Sequence, residues 1–332
     1  MDDIDHAREI ISYPEILVNE GRVTVRKRGL KGHAVDDEGC LSKELGDTVY
    51  DKAFPLEVDY EISLNDGFAI RRKGDGQVGL LRRQRLVQSP GSRTTHHAVI
   101  PVTAKHNFCC RHGGGVTKNV KDVYMGLMDT QREDLRLTFQ DANWECTMED
   151  EITLRQTEAD KVTWEYGLDI AFGKKIKTAV EGVTNIDYSF DLVRPDFIIK
   201  KDMRVGIAIY QTRPPTKESV SRNPRRPIDI SPQKLETIYG KAGEINIYTG
   251  IVTFADPKQP HIEYDINSFT GCSGAVVFLL DEGQPEEVKE RDYGKAVAIH
   301  GGGHPVLANR NVAFKLSEEM VLAFEAQDLS MG

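Results

Sequence analysis

The stretch Phe269-Thr-Gly-Cys-Ser-Gly-Ala-Val-Val-Phe278 sets a serine among small residues on a tight turn that runs directly into an apolar strand. Glycines at 271 and 274 remove Cβ clashes, so the backbone N–H groups around Ser273 are free to turn toward a substrate carbonyl. The texture of the following run, Ala275–Leu280, recurs outward in both directions. It is seen at Val58–Ile62, Phe68–Ile70, Val78–Leu81, Ala98–Thr103, Leu168–Phe172 and Arg204–Tyr210. Further runs lie at Ile245–Phe254, Ala296–Ile299 and Val312–Leu316. Short β-branched runs separated by turn residues predict strands and an all-β chain of barrel or sandwich type. Asp66-Gly67, Asp75-Gly76 and Ser89-Pro90-Gly91 read as the turns between them.

The helical pattern is clearest at the C-terminus. Ser317 caps a run holding Glu318 and Glu319 in its first turn and Met320, Leu322, Ala323 and Phe324 as apolar contacts. Residues 211–233 carry five prolines among Arg and Lys and predict a long exposed loop. Residues 1–57 show no clean period and read as an N-terminal extension of unknown fold.

A chain of 332 residues is long enough for about two domains. Its net charge of -9 argues against general nucleic-acid binding, which needs a basic surface to displace counterions. Arg26, Lys27, Arg28 and Lys31 read as a solvated basic loop. The start Met-Asp-Asp-Ile-Asp-His lacks the positive and apolar regions of a secretory signal, and no run approaches the ~18 apolar residues of a membrane span. Five cysteines, an odd number, suit a reducing compartment, so the expected location is intracellular and cytoplasmic, with no membrane partner.

Two other segments carry chemistry that complements Ser273. In Ala98-Val-Ile-Pro-Val-Thr-Ala-Lys-His106 a strand ends and a histidine follows just past its end. In Trp164-Glu-Tyr-Gly-Leu-Asp169-Ile-Ala-Phe an acid abuts an apolar run that draws it inward. A buried carboxylate needs a partner, and a histidine N–H is suitable because the pairing fixes the tautomer of a general base. Nucleophile, base and orienting acid are the three groups that serine-based peptide hydrolysis requires.

Together these segments resemble the chymotrypsin/trypsin-like serine peptidases, in that family's order of His, Asp and Ser. Thr103-Ala-Lys-His106 resembles its T-A-A-H, Leu168-Asp169-Ile-Ala its D-I-A-L, and Gly271-Cys-Ser273-Gly274 its G-D-S-G. Val297-Ala-Ile-His300-Gly-Gly-Gly303 looks like its substrate-binding strand. The resemblance covers residues 58–330 and implies two antiparallel six-stranded β-barrels, about 58–189 and 190–330, with the triad between them and a C-terminal helix. It implies an endopeptidase with catalytic His106, Asp169 and Ser273 and an oxyanion hole at the N–H groups of Gly271 and Ser273. Its substrate is a protein or peptide; it needs no cofactor and no metal. Oligomeric state is open.

The pattern has departures. Cys272 stands where digestive members carry the aspartate that pairs with a newly cut N-terminus, so activation by that route is not expected. Asn267, six residues before Ser273, is not the aspartate of an Arg/Lys-specific pocket. His300 is similar to the pocket histidine of glutamyl endopeptidases and picornaviral proteases, which acts with a hydroxyl five residues before the nucleophile. Ser268 holds that place here. The resemblance therefore implies cleavage after Glu or Gln, with Asn267, Ser268, His300, Gly301 and Gly302 binding substrate.

Two rivals stand beside this reading. One is a zinc site from His106, Cys109, Cys110 and His112, whose spacing matches no common finger. The other is a catalytically silent peptidase-fold module that binds or scaffolds. Gly113-Gly-Gly115 and Gly301-Gly-Gly303 lack the strand–glycine–helix setting of a phosphate loop.

Overall fold

A computed structural model describes residues 24–28, 33–34, 41–63, 69–89, 92–107, 117–125, 169–172, 188–217, 230–266, 268–303 and 310–317. The predicted turn at Asp66-Gly67, the C-terminal helix beyond Ser317, Asn267, and Cys109, Cys110 and His112 lie outside the described residues.

The strands are β1 (Thr24–Arg28), β2 (His33–Ala34), β3 (Phe54–Ser63), β4 (Ala69–Ser89), β5 (Ser92–Thr103), β6 (Thr117–Met125) and β7 (Ala171–Phe172). They continue as β8 (Phe190–Asp191), β9 (Arg204–Tyr210), β10 (Glu244–Ala255), β11 (His261–Tyr264), β12 (Val276–Leu279), β13 (Ala296–Gly303) and β14 (Asn311–Lys315). Two helices are described, α1 (Lys43–Tyr50) and α2 (Pro232–Tyr239).

Strands β9, β10, β11, β14, β13 and β12 pair in that order and β12 returns to β9, closing a six-stranded antiparallel barrel. Strand β1 pairs with the outer edge of β10, and β2 with β1. The second layer follows the order β6-β3-β4-β5-β7, with β8 parallel to β4. Of the two six-stranded barrels expected, one is closed; among the described residues the second sheet does not close. Closure would need its outer strands to pair. The outer strand β7 is only two residues long and pairs only with β5 among the described residues.

Alternation sorts the barrel side chains into two cores. Val205, Ile207, Ile209, Val277, Leu279 and Val297 fill the barrel interior. Their neighbours Ala208, Val276, Phe278, Leu280 and Ile299 point the other way, into a second core with Leu81, Ile100 and Val102 of the open sheet. Runs such as Ala275–Leu280 are continuously apolar because both strand faces are covered. Phe190 stacks on Phe278 across this core, with ring centroids 5.8 Å apart. At its edge Arg82 donates to both carboxylate oxygens of Asp191, at 2.7 and 2.5 Å. Burial alone would raise the Asp191 pKa, but the hydrogen bond and charge of Arg82 outweigh it and hold it low.

Helix α1 enters the same core. Ser42 caps it, its hydroxyl accepting from Leu45 N–H at 3.1 Å, while its own N–H and hydroxyl donate to Asp281 beside the barrel. Val49 and Tyr50 are buried against the second core. Helix α2 starts at Pro232 behind the cap Ser231, so the predicted loop 211–233 ends two residues early. Its residues 218–229 lie outside the described residues. Among the described residues no helix is long and apolar enough to cross a membrane.

The predicted turn at Asp75-Gly76 is instead the middle of β4, where Asp75 pairs with Glu57 and Gly76 with Leu56. The glycine serves close approach: a Cβ there would lie 2.5 Å from the Asn107 amide nitrogen. Gly79 likewise lets β4 meet the barrel, since its Cβ would fall 2.0 Å from Val276 Cγ2. Valine is stiff at χ1 and has little room to yield. Gly79→Ala is expected to cost about 1–3 kcal/mol by overpacking. Thermal denaturation beside the exposed control Lys201→Ala measures it, and equal melting temperatures would contradict this packing.

Candidate active site

Four segments converge at the contact between barrel and open sheet. The first is the end of β5. Strand pairing stops at Thr103, Ala104 is buried, and a single 3-10 turn over Lys105–Asn107 brings His106 to the edge. The second holds Asp169, two residues before β7, whose pairing with Val102 and Thr103 fixes it beside that turn. The Asp169 carboxylate grips His106 twice, with Oδ2 2.6 Å from Nδ1 and Oδ1 accepting the His106 backbone N–H at 2.8 Å. The side chains are 20% and 12% exposed, so the pair is mostly sheltered from water while the ring still reaches the surface. A carboxylate at Nδ1 fixes the ring so that Nε2 is the basic nitrogen.

The third segment is the turn before β12. Ser273 is half-buried, and its carbonyl accepts from Gln77 N–H at 2.8 Å and from Asn107 Nδ2 at 3.1 Å. Asn107 is the residue after His106, so one side chain ties the serine's backbone to the histidine's. Around the turn, Cys272 N–H donates to Phe269 O, Gly274 N–H to His300 O and Ala275 N–H to Cys272 O. Among the described residues, the N–H groups of Gly271 and Ser273 have no such acceptor. Gly271 has φ +105 and open space where a Cβ would stand.

The fourth segment is the C-terminal half of β13. Its register slips between His300 and Gly302, leaving Gly301 as the extra residue of a bulge. A Cβ on Gly301 would lie 3.5 Å from Asp169 Oδ2 and 2.8 Å from Phe314. Gly302 has φ +129 and open space beside it. His300 itself is buried, only 1% exposed, with its Nδ1 hydrogen-bonded to the Tyr264 hydroxyl. Complete burial pushes the Tyr264 pKa well above its ordinary value, so that hydroxyl keeps its proton. Tyr264 pairs across β11–β14 with Asn311, whose Oδ1 accepts the Ser268 hydroxyl at 2.6 Å.

His106, Asp169, Ser273, Gly271, Ser268, His300, Gly301 and Gly302 are thus set around one region by shared hydrogen bonds and neighbouring registers. Asn267 lies outside the described residues. Sequence reading missed Gln77, Thr103, Asn107, Tyr264 and Asn311. Their only signal was a polar side chain inside or beside an apolar strand. Cys272 is fully buried, and desolvation pushes its thiol pKa up to about 12. Among the described residues no group of three potential metal ligands occurs.

No protein-family model and no curated protein matches the chain. Solved structures similar to it include AL20, a thermostable serine protease from an extremophilic microorganism, with 11% identity and TM-score 0.39, covering 85% of this chain and 97% of that one. Protease Anisep from Arthrobacter nicotinovorans has 11% identity and TM-score 0.36, with 84% and 96% covered. A Glu endopeptidase has 12% identity and TM-score 0.41, with 84% and 90% covered.

Two predictions follow from the turn's geometry. In Gly274→Ala the new Cβ would meet Thr103 Oγ1 at 2.1 Å and Gln77 O at 2.2 Å, at a φ of +94 that side chains rarely adopt. A stability loss of at least about 2 kcal/mol is expected by denaturant titration, and a wild-type midpoint would contradict the contact. For Cys272, mass mapping after alkylation at pH 8 should find the native thiol unmodified and the unfolded one modified. Its raised pKa also means that stability supplied by the neutral thiol is lost as pH climbs from about 9 toward 12.

Proposed function

We propose that the chain is a serine endopeptidase acting through an acyl-enzyme. The observation that carries this reading is the double grip of Asp169 on His106, at Nδ1 and at the backbone N–H, on a loop whose next residue binds the backbone of Ser273. In this scheme Ser273 Oγ attacks the scissile carbonyl carbon and passes its proton to His106 Nε2. Asp169 holds the ring and stabilises the imidazolium. The Gly271 and Ser273 N–H groups receive the oxyanion, a contribution whose loss costs about 10²–10³ in rate in comparable sites. His106 then gives the proton to the leaving amine, and water, activated by the same ring, cleaves the ester.

For specificity we favour cleavage after Glu or Gln. The support is that His300 and Ser268 are hydrogen-bonded to Tyr264 and Asn311, two residues that pair across β11–β14. Asn267, Gly301 and Gly302 complete the proposed substrate groove. The setting in which it works is proposed to be intracellular.

Digestion of a proteome-derived peptide library tests both parts. Cuts by the wild type that vanish with Ser273→Ala are expected, with Glu or Gln before the cut. Asp169→Asn should lower the rate by about 10⁴ while leaving the fold intact. Identical digests from wild type and Ser273→Ala would favour the silent binding module, and a logo without Glu or Gln would sink the specificity.

A further inference from the structure

We infer that Gln77 is a positioning residue for the peptide that carries the Ser273 N–H, an inference that rests on the peptidase reading above. Gln77 lies in β4 of the open sheet, yet it is 3% exposed and gives its side-chain amide and backbone N–H to the barrel side. Its side-chain amide pairs with the Tyr210 backbone as a neighbouring strand would, Nε2 donating to Tyr210 O at 2.9 Å and Oε1 accepting Tyr210 N–H at 3.0 Å. Tyr210 ends β9, where it pairs with Ile245 of β10, and the Gln77 amide takes the place of a strand on its other side.

From that anchor Gln77 reaches the catalytic turn twice. Nε2 also donates to Gly271 O at 3.1 Å, and the backbone N–H donates to Ser273 O at 2.8 Å. Those carbonyls bracket the Cys272–Ser273 peptide on both sides. Between them Cys272 O accepts from Ala275 N–H. In a trans peptide the C=O and N–H point opposite ways. An inward Cys272 carbonyl therefore turns the Ser273 N–H outward, where an oxyanion would sit.

The turn's own hydrogen bonds, from Cys272 N–H to Phe269 O and from Ala275 N–H to Cys272 O, leave the carbonyls of Gly271 and Ser273 to be held from outside. Gly271 and Gly274, at φ +105 and +94, give it the conformation it needs but also let it leave that conformation at little cost. Pinning the two bracketing carbonyls removes that freedom. The Thr103 hydroxyl, donating to Gln77 O at 2.6 Å, completes the satisfaction of the residue.

The test uses the full chain and p-nitrophenyl acetate, an acylating ester that does not depend on side-chain specificity. Gln77→Met keeps length and backbone bonds and removes the amide. The expected result is a burst about 10- to 100-fold slower, less than the about 10²–10³ of losing an oxyanion donor outright because the N–H is misaimed rather than removed, with amplitude still near one per folded chain. The pH midpoint of the burst rate should stay at its wild-type value, because His106 and Asp169 are untouched. Gln77→Glu, which keeps an acceptor for Tyr210 N–H but sets oxygen against both carbonyls, carries the same expectation if the first variant folds poorly. A crystal structure of either variant should show the Gly271 carbonyl turned from its wild-type direction, with the Ser273 carbonyl still held by the backbone of residue 77 and by Asn107. An unmoved turn with a burst rate within threefold of wild type overturns the inference, as does a loss confined to amplitude. A wild type without a Ser273-dependent burst overturns the peptidase reading instead, and the two crystal structures still decide whether Gln77 holds the turn.

Discussion

The Ser273 carbonyl is a point at which two hydrogen bonds from the open sheet converge on the barrel. It accepts from the backbone of Gln77 in β4 and from the side chain of Asn107 beyond β5. Asn107 also donates to Thr103, which donates to Gln77, so the three form a closed buried set around one acceptor. Buried polar groups of this kind cost about 1–3 kcal/mol each when left unsatisfied. A displaced turn would strand several at once, so the layers have one favourable docking rather than a range of them. His106 precedes Asn107 in the chain, so this docking also sets the histidine relative to the serine.

The same contact explains what surrounds it. Glycines at 79 and 274 stand where backbone meets the other layer, and Gly76 stands where β4 meets Asn107 of its own layer; each would clash if a Cβ were added. The bulge in β13 brings Gly301 against Asp169, so the acid is bounded by His106 on one side and barrel backbone on the other. A site assembled from two layers needs no single rigid loop. Its geometry is held by the packing of Val276, Phe278 and Ile299 against Leu81, Ile100 and Val102.

Much of this was legible in the sequence. Arg204–Tyr210 was read to the residue, because a β-branched run between turn residues leaves little choice. The three segments carrying His106, Asp169 and Ser273 stood out because small or polar residues interrupt apolar strands there. What was not legible depends on distant partners. Asp75-Gly76 has the composition of a turn, and only Asn107, far along the chain, requires the glycine for approach instead. Gln77 looks like any polar residue in a strand until Tyr210, Gly271 and Ser273 surround it. That the first sheet stays open among the described residues was hidden for the same reason, since alternation marks strands but does not say whether the outer two will meet.

The most direct test of the assembled site is chemical. Native protein treated with a fluorophosphonate should gain one adduct, mapped by peptide mass to Ser273. His106→Ala should lose that adduct although its serine is intact. An adduct formed equally well without His106, or no adduct on well-folded wild type, would contradict a serine activated by the His106–Asp169 pair.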